Sequence, residues 1–213
     1  NATINGNDGN DVINIAATTF TDSTIFGGEG GDVINAFALS AVYLSGDAGN
    51  DVLTAGDGAD VIEGGDGIDV MTGGAGNDSF LYTSVAQTGT VATAGGAGND
   101  VITDFTSGAG VTVADSIKGF GVAGNATTYT EGVAAAADYA GALADANALF
   151  QTPGAANTFQ YYYAVFGSVA NFTGVLFVDL GNTGAAQGAI QIGYTFGSEV
   201  AAFDGFKAQD ILA

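Results

Sequence analysis

A nine-residue period constrains this chain more than any other feature. It reads GNDGNDVIN at 6–14, GGEGGDVIN at 27–35, GDAGNDVLT at 46–54, AGDGADVIE at 55–63, GGDGIDVMT at 64–72, GGAGNDSFL at 73–81 and GGAGNDVIT at 95–103. A fixed short period implies a repeat architecture, in which one unit buries its apolar side only by stacking on the next. Position six is always Asp (Asp11, Asp32, Asp51, Asp60, Asp69, Asp78 and Asp100), and position eight is always apolar (Ile13, Ile34, Leu53, Ile62, Met71, Phe80 and Ile102). A flexible Gly/Asn/Asp-rich linker would share the composition but not this phase locking.

Each unit combines a six-residue Gly-rich turn with a three-residue strand, whose apolar residue points into a narrow core between two sheets. If two units make one coil, coils start at Gly6, Gly27, Gly46 and Gly64, with an opposite stack of turns at Ala55, Gly73 and Gly95. The segments 15–26, 36–45 and 82–94 then become degenerate half-turns.

The turn glycines, among them Gly46, Gly49, Gly58, Gly64, Gly67, Gly73 and Gly76, permit positive φ and let successive carbonyls face a common point. Carbonyls plus an Asp carboxylate form a hard, all-oxygen ligand set suited to Ca²⁺. Zinc and copper favour His or Cys, and the chain has neither. An EF-hand fails at 47–58, where Val52 occupies the obligatory Gly position and Gly58 the bidentate Glu position. One inward side chain per strand is little hydrophobic drive, and stacked Asp rows repel. The metal is therefore expected to supply much of the folding free energy.

The pattern G-G-x-G-x-D-x-U-x resembles the repeat of the RTX family, the haemolysin-type calcium-binding proteins exported by type I secretion machinery. The resemblance implies an all-β, right-handed parallel β-roll over 1–103, with Ca²⁺ between the loops of adjacent coils. Asp11/Asp32, Asp32/Asp51 and Asp51/Asp69 would flank sites on one edge, and Asp60/Asp78 and Asp78/Asp100 on the other, about five ions in all. Ala55 and Asp47, in place of the first and second Gly, weaken their matches without removing the carboxylate.

Residues 104–213 form the second expected unit, a β-rich module with one helix. Of the 23 acidic residues, 15 lie at 1–104, whereas both basic residues, Lys118 and Lys207, lie beyond. The stretches 101–105 and 115–120 resemble the cap that follows RTX rolls. A helix is expected at 132–150, with a Tyr139, Leu143, Ala146 and Phe150 stripe and a stop at 152–154. Strands are expected at 159–166, 172–180 and 189–196, the last two joined across 181–184. Tyr161, Tyr162 and Tyr163 would divide between sheet core and a wet face. The stretch 206–213 is similar to the uncleaved C-terminal signals of type I substrates.

A net charge of −21 without Arg excludes nucleic acid as a partner and removes any basic patch for an anionic membrane. No apolar run is long enough to span a bilayer. Because 47% of residues are hydrophobic, the acidity does not signal a disordered tail. Asn1 stands where an initiator Met would, without signal-peptide character after it, so the chain is expected to be part of a longer, secreted protein. Without His or Cys there is no Ser-His-Asp triad or cysteine nucleophile, and neither G-x-S-x-G nor a P-loop occurs. The expected function is non-catalytic. Ala/Gly/Thr richness and a pI near 4.1 resemble RTX-type S-layer proteins, which tile the bacterial cell surface as a lattice. The alternative is the C-terminal export and folding region of a secreted enzyme, toxin or adhesin.

Overall fold

The computed structural model describes residues 2–15, 22–37, 39, 41–89, 91, 98–106, 115–120, 129–133, 138–150, 161–168, 171–180, 184–193 and 211–212. Gly95, the helix stop at 152–154, the 181–183 part of the joining turn, and 206–210 of the expected export signal lie outside them.

The repeats form short strands that alternate between two sheets. They run β1 (Thr3–Asp8), β2 (Val12–Asn14), β3 (Thr24–Glu29), β4 (Val33–Asn35), β5 (Tyr43–Ala48) and β6 (Val52–Thr54). Next come β7 (Val61–Asp66), β8 (Val70–Thr72), β9 (Ser79–Leu81), a 3₁₀ turn at Val85–Thr88, β10 (Asp100–Ile102) and β11 (Ser116–Lys118). The later elements are β12 (Tyr129–Val133), α1 (Tyr139–Phe150), β13 (Tyr161–Ser168), β14 (Asn171–Val178), β15 (Gly188–Ile192) and β16 (Ile211–Leu212).

One sheet has the order β1-β3-β5-β7-β9-β11-β16, the other β12-β13-β14-β15-β10-β8-β6-β4-β2. Repeat strands pair parallel and in register, Ile13 on Ile34 on Leu53 on Met71 and Ile25 on Leu44 on Ile62 on Phe80. This is the parallel β-roll that the period implies. Position-eight residues fill the space between the sheets. Ile34, Leu53, Ile62, Met71, Phe80 and Ile102 are fully buried, and Ile13, at the edge, is partly so.

The composition boundary near Asp104 falls inside continuous sheets. Strands β11 and β16 extend the first sheet by parallel pairing, while β15 pairs parallel with β10 and leads into the antiparallel β13–β14–β15 run. The expected helix is shorter than its Ala-rich sequence, because 131–133 pair with Tyr163, Ala164 and Val165 in β12. Asp138 sits just before α1 and its carboxylate accepts the Gly141 N–H at 3.0 Å, an N-cap. The buried stripe is Tyr139, Ala142, Ala146 and Phe150, with Leu143 only partly buried. It covers Tyr162, Ala164, Val175, Phe177 and Ala189. Tyr161 and Tyr163 join the inner core and Tyr162 is roofed by α1, so neither face of the strand at these residues is the wet one expected.

Candidate metal centre

Stacking brings the repeat carboxylates into two rows. The N–H of Asp11 donates to Oδ1 of Asp32 at 2.7 Å, Asp32 to Asp51 at 2.7 Å, Asp51 to Asp69 at 2.9 Å and Asp69 to Asp100 at 2.8 Å. On the opposite edge, Val42 donates to Asp60 at 2.7 Å, Asp60 to Asp78 at 2.9 Å and Asp78 to Asp115 at 2.9 Å. Each carboxylate thus satisfies a buried amide of the preceding coil, which explains why Asp recurs even apart from any metal.

Asp100 therefore belongs over Asp69, not over Asp78 as the repeat spacing suggests. The segment 82–94 is an insertion within the half-coil between β9 and β10, and β10 pairs with β8. The residue over Asp78 is Asp115, which sequence reading assigned only to the cap. Its signal was Asp115-Ser116-Ile117-Lys118, a D-x-U-x match that lacks the glycine turn. The degenerate half-turns at 15–26 and 36–45 place Ser23 and Val42 at position six. The Ser23 hydroxyl still accepts the Ala2 N–H at 3.3 Å, whereas Val42 has no such group.

The second oxygens of six repeat carboxylates have no such role. Oδ2 of Asp11, Asp32, Asp51, Asp69, Asp78 and Asp100 is buried and has no hydrogen-bond partner in the protein. A β-carbon at Gly27 would meet both Asp32 Oδ2 and the Gly46 carbonyl, and one at Gly46 would meet Asp51 Oδ2 and the Gly64 carbonyl. Gly64 and Gly73 likewise abut the Oδ2 of Asp69 and Asp78. Carboxylate and carbonyl oxygens thus converge where only glycine leaves room. At position four, Gly49, Gly58, Gly67 and Gly76 all have φ between 117° and 149°, a left-handed conformation suited to Gly. Asp47, at a position-two Gly site, takes φ 69°, which Asp tolerates.

Orphaned carboxylate oxygens beside carbonyls fit a hard cation, and among the described residues no cluster of three acidic side chains offers an alternative. Calcium supplied there would neutralise the stacked carboxylates and tie adjacent coils together. Asp11, Asp32, Asp51, Asp69, Asp78 and Asp100, with the position-one carbonyls, are the groups that would hold it.

Without a cation, four of these carboxyls titrate abnormally. Burial pushes Asp51 and Asp78 up to about 7, Asp69 to about 6 and Asp100 to about 8, against the N–H that each accepts. A folded-state value raised above the unfolded one contributes stability that is present below about pH 4 and lost as pH rises through 6 to 8. In chelator, the roll should therefore keep more of its β-rich circular dichroism at pH 5 than at pH 8. Calcium, which competes with the protons, should abolish or reverse that order. A chelated protein more stable at pH 8 would contradict the burial of uncompensated carboxyls.

A parallel β-roll with carboxylate rows at its turns is a solenoid that offers oxygen ligands to a cation between its coils. The RTX calcium-binding nonapeptide repeat, in four copies, matches residues 1–14, 19–38 and 43–80. The match ends before Asp100 and Asp115, which only the strand register places. Among solved structures, the chain resembles the solution structure of the AlgE6R3 subunit from the Azotobacter vinelandii mannuronan C5-epimerase. The two share 18% identity over 93% of this chain and 82% of that one, with a TM-score of 0.44. Comparison with curated proteins returns no match.

Proposed function

We propose that this chain is a non-catalytic, calcium-folded protein of the bacterial cell surface, exported by type I secretion machinery and assembling with copies of itself into a layer. The carrying observation is the set of six buried, partnerless carboxylate oxygens, which need several cations to make the roll stable. Calcium is a folding cofactor here, because the sequence offers no His or Cys for chemistry and the repeat Asp residues are committed to the stack.

Support for self-assembly comes from the outer face of the even-numbered roll strands. It presents two columns, Val12, Val33, Val52, Val70, Val101 and Asn14, Asn35, Thr54, Thr72, Thr103, without one charge. Val12 is 68% and Val52 40% exposed. Asn35 donates to Asn14 at 2.8 Å and Thr72 bonds Thr103 at 2.8 Å, which holds the columns in line. Copies of a chain with net charge −21 repel, so an uncharged, flat face is where they can approach. No described helix is long and apolar enough to cross a membrane.

Electron microscopy of the purified chain on addition of millimolar Ca²⁺ should show regular sheets that chelator dissolves. A chain that folds with calcium yet stays monomeric by sedimentation would refute the lattice reading and favour an export and folding region of a larger secreted protein.

A further inference from the structure

The loop 55–60 departs from its neighbours structurally at the point where it departs in sequence. In the turns that begin at Gly6, Gly27, Gly46, Gly64 and Gly73, a β-carbon at position one would fall on the Oδ2 of the same turn's Asp. Those oxygens, on Asp11, Asp32, Asp51, Asp69 and Asp78, are among the ones left without a partner. Position one of loop 55–60 is Ala55, itself buried, so there the β-carbon exists.

The Asp60 carboxylate is arranged accordingly. Its Oδ1 accepts the Val42 N–H at 2.7 Å, as its counterparts accept theirs, but its Oδ2 accepts the Gly56 N–H at 3.3 Å. An N–H pointed at a carboxylate occupies the lone pair that a cation would use and turns a positive dipole end toward the ion's position. Asp60 is 1% exposed, so water does not take over that role. The same substitution of N–H for cation recurs higher on this edge, where Asp115 Oδ2 accepts the Thr106 N–H at 2.7 Å.

We infer that loop 55–60 has lost its calcium site, that the Ala55 methyl group is the cause, and that Asp60 is a hydrogen-bonding strut between coils. The inference rests on the reading of the other repeat Asp residues as calcium ligands. It removes Asp60 from the ligand set that the repeat pattern implies and leaves the calcium load mainly on the edge that carries Asp11, Asp32, Asp51, Asp69 and Asp100.

The test is the number of calcium ions bound per chain, measured by atomic emission after equilibrium dialysis of the full chain at saturating Ca²⁺. Ala55→Gly should gain one ion. Asp60→Asn, which keeps an acceptor for the Val42 N–H, should bind as many as the unaltered chain, whereas Asp51→Asn should lose at least one. A gain of none in Ala55→Gly, or the loss of an ion in Asp60→Asn, overturns the inference while the calcium reading stands. An unaltered chain that binds no calcium overturns both, and the two failures are told apart by that sample alone.

Discussion

Moved from millimolar calcium into excess chelator at neutral pH, the full chain is expected to lose the β-rich far-ultraviolet circular dichroism of its roll, and to regain it when calcium returns. Six carboxylate oxygens are buried without partners, and the effective cost of burying an unpaired ion is several kcal/mol each. Against this the roll sets one inward side chain per strand, Ile34, Leu53 or Met71, worth roughly 1.5–3 kcal/mol each. A cost of that size is comparable with the whole net stability of a folded domain, about 5–15 kcal/mol, so the cation decides between folded and unfolded. Millimolar concentrations are the relevant range, because calcium modules of extracellular proteins bind at about 10⁻⁴–10⁻³ M. A spectrum unchanged in chelator would show that the core and the amide ladders suffice alone.

Replacement of Asp69 by Ala should destabilise the calcium-loaded protein far more than replacement of Asp145 by Ala. Asp69 is fully buried, and its Oδ1 holds the Asp51 N–H at 2.9 Å. Truncation strands that amide, at a cost of about 1–3 kcal/mol, and also removes one cation ligand. Asp145 lies on α1, outside any repeat and only partly buried, where a change to Ala stays within about 0.5 kcal/mol. Denaturant midpoints at saturating calcium separate the two. Equal shifts would mean that the repeat carboxylates contribute no more than surface ones.

The roll was legible in the sequence because a three-residue strand with one inward position leaves no freedom of register. Once Ile34 faces the core, Asp32 must lie at the turn. What the period could not reveal was how an insertion is accommodated. Thirteen residues at 82–94 can replace a half-coil or bulge out of one, and only the pairing of Val101 with Val70 shows the second. Asp115 is hidden for a related reason, since Val113 stands where every repeat has its position-four Gly, and Thr106 and Asp115 are joined by reciprocal hydrogen bonds. Strand β12 was read as helix at 132–133 because local composition favours helix there, while its partner, β13, lies about 30 residues away in sequence. Ala55 was visible as a departure from the repeat. That it displaces a carboxylate oxygen follows only from the close packing of its glycine counterparts against Asp51 and Asp69.

The amide-to-carboxylate ladder also has a direction. In both rows the donor belongs to the earlier coil and the acceptor to the later one, from Asp11 to Asp100 and from Val42 to Asp115. Loss of a coil on the Asp11 side takes away a donor of this ladder but no acceptor, whereas removal of Asp100 or Asp115 orphans the Asp69 or Asp78 N–H in the coil before it. The roll is thus a polar filament with two unlike ends.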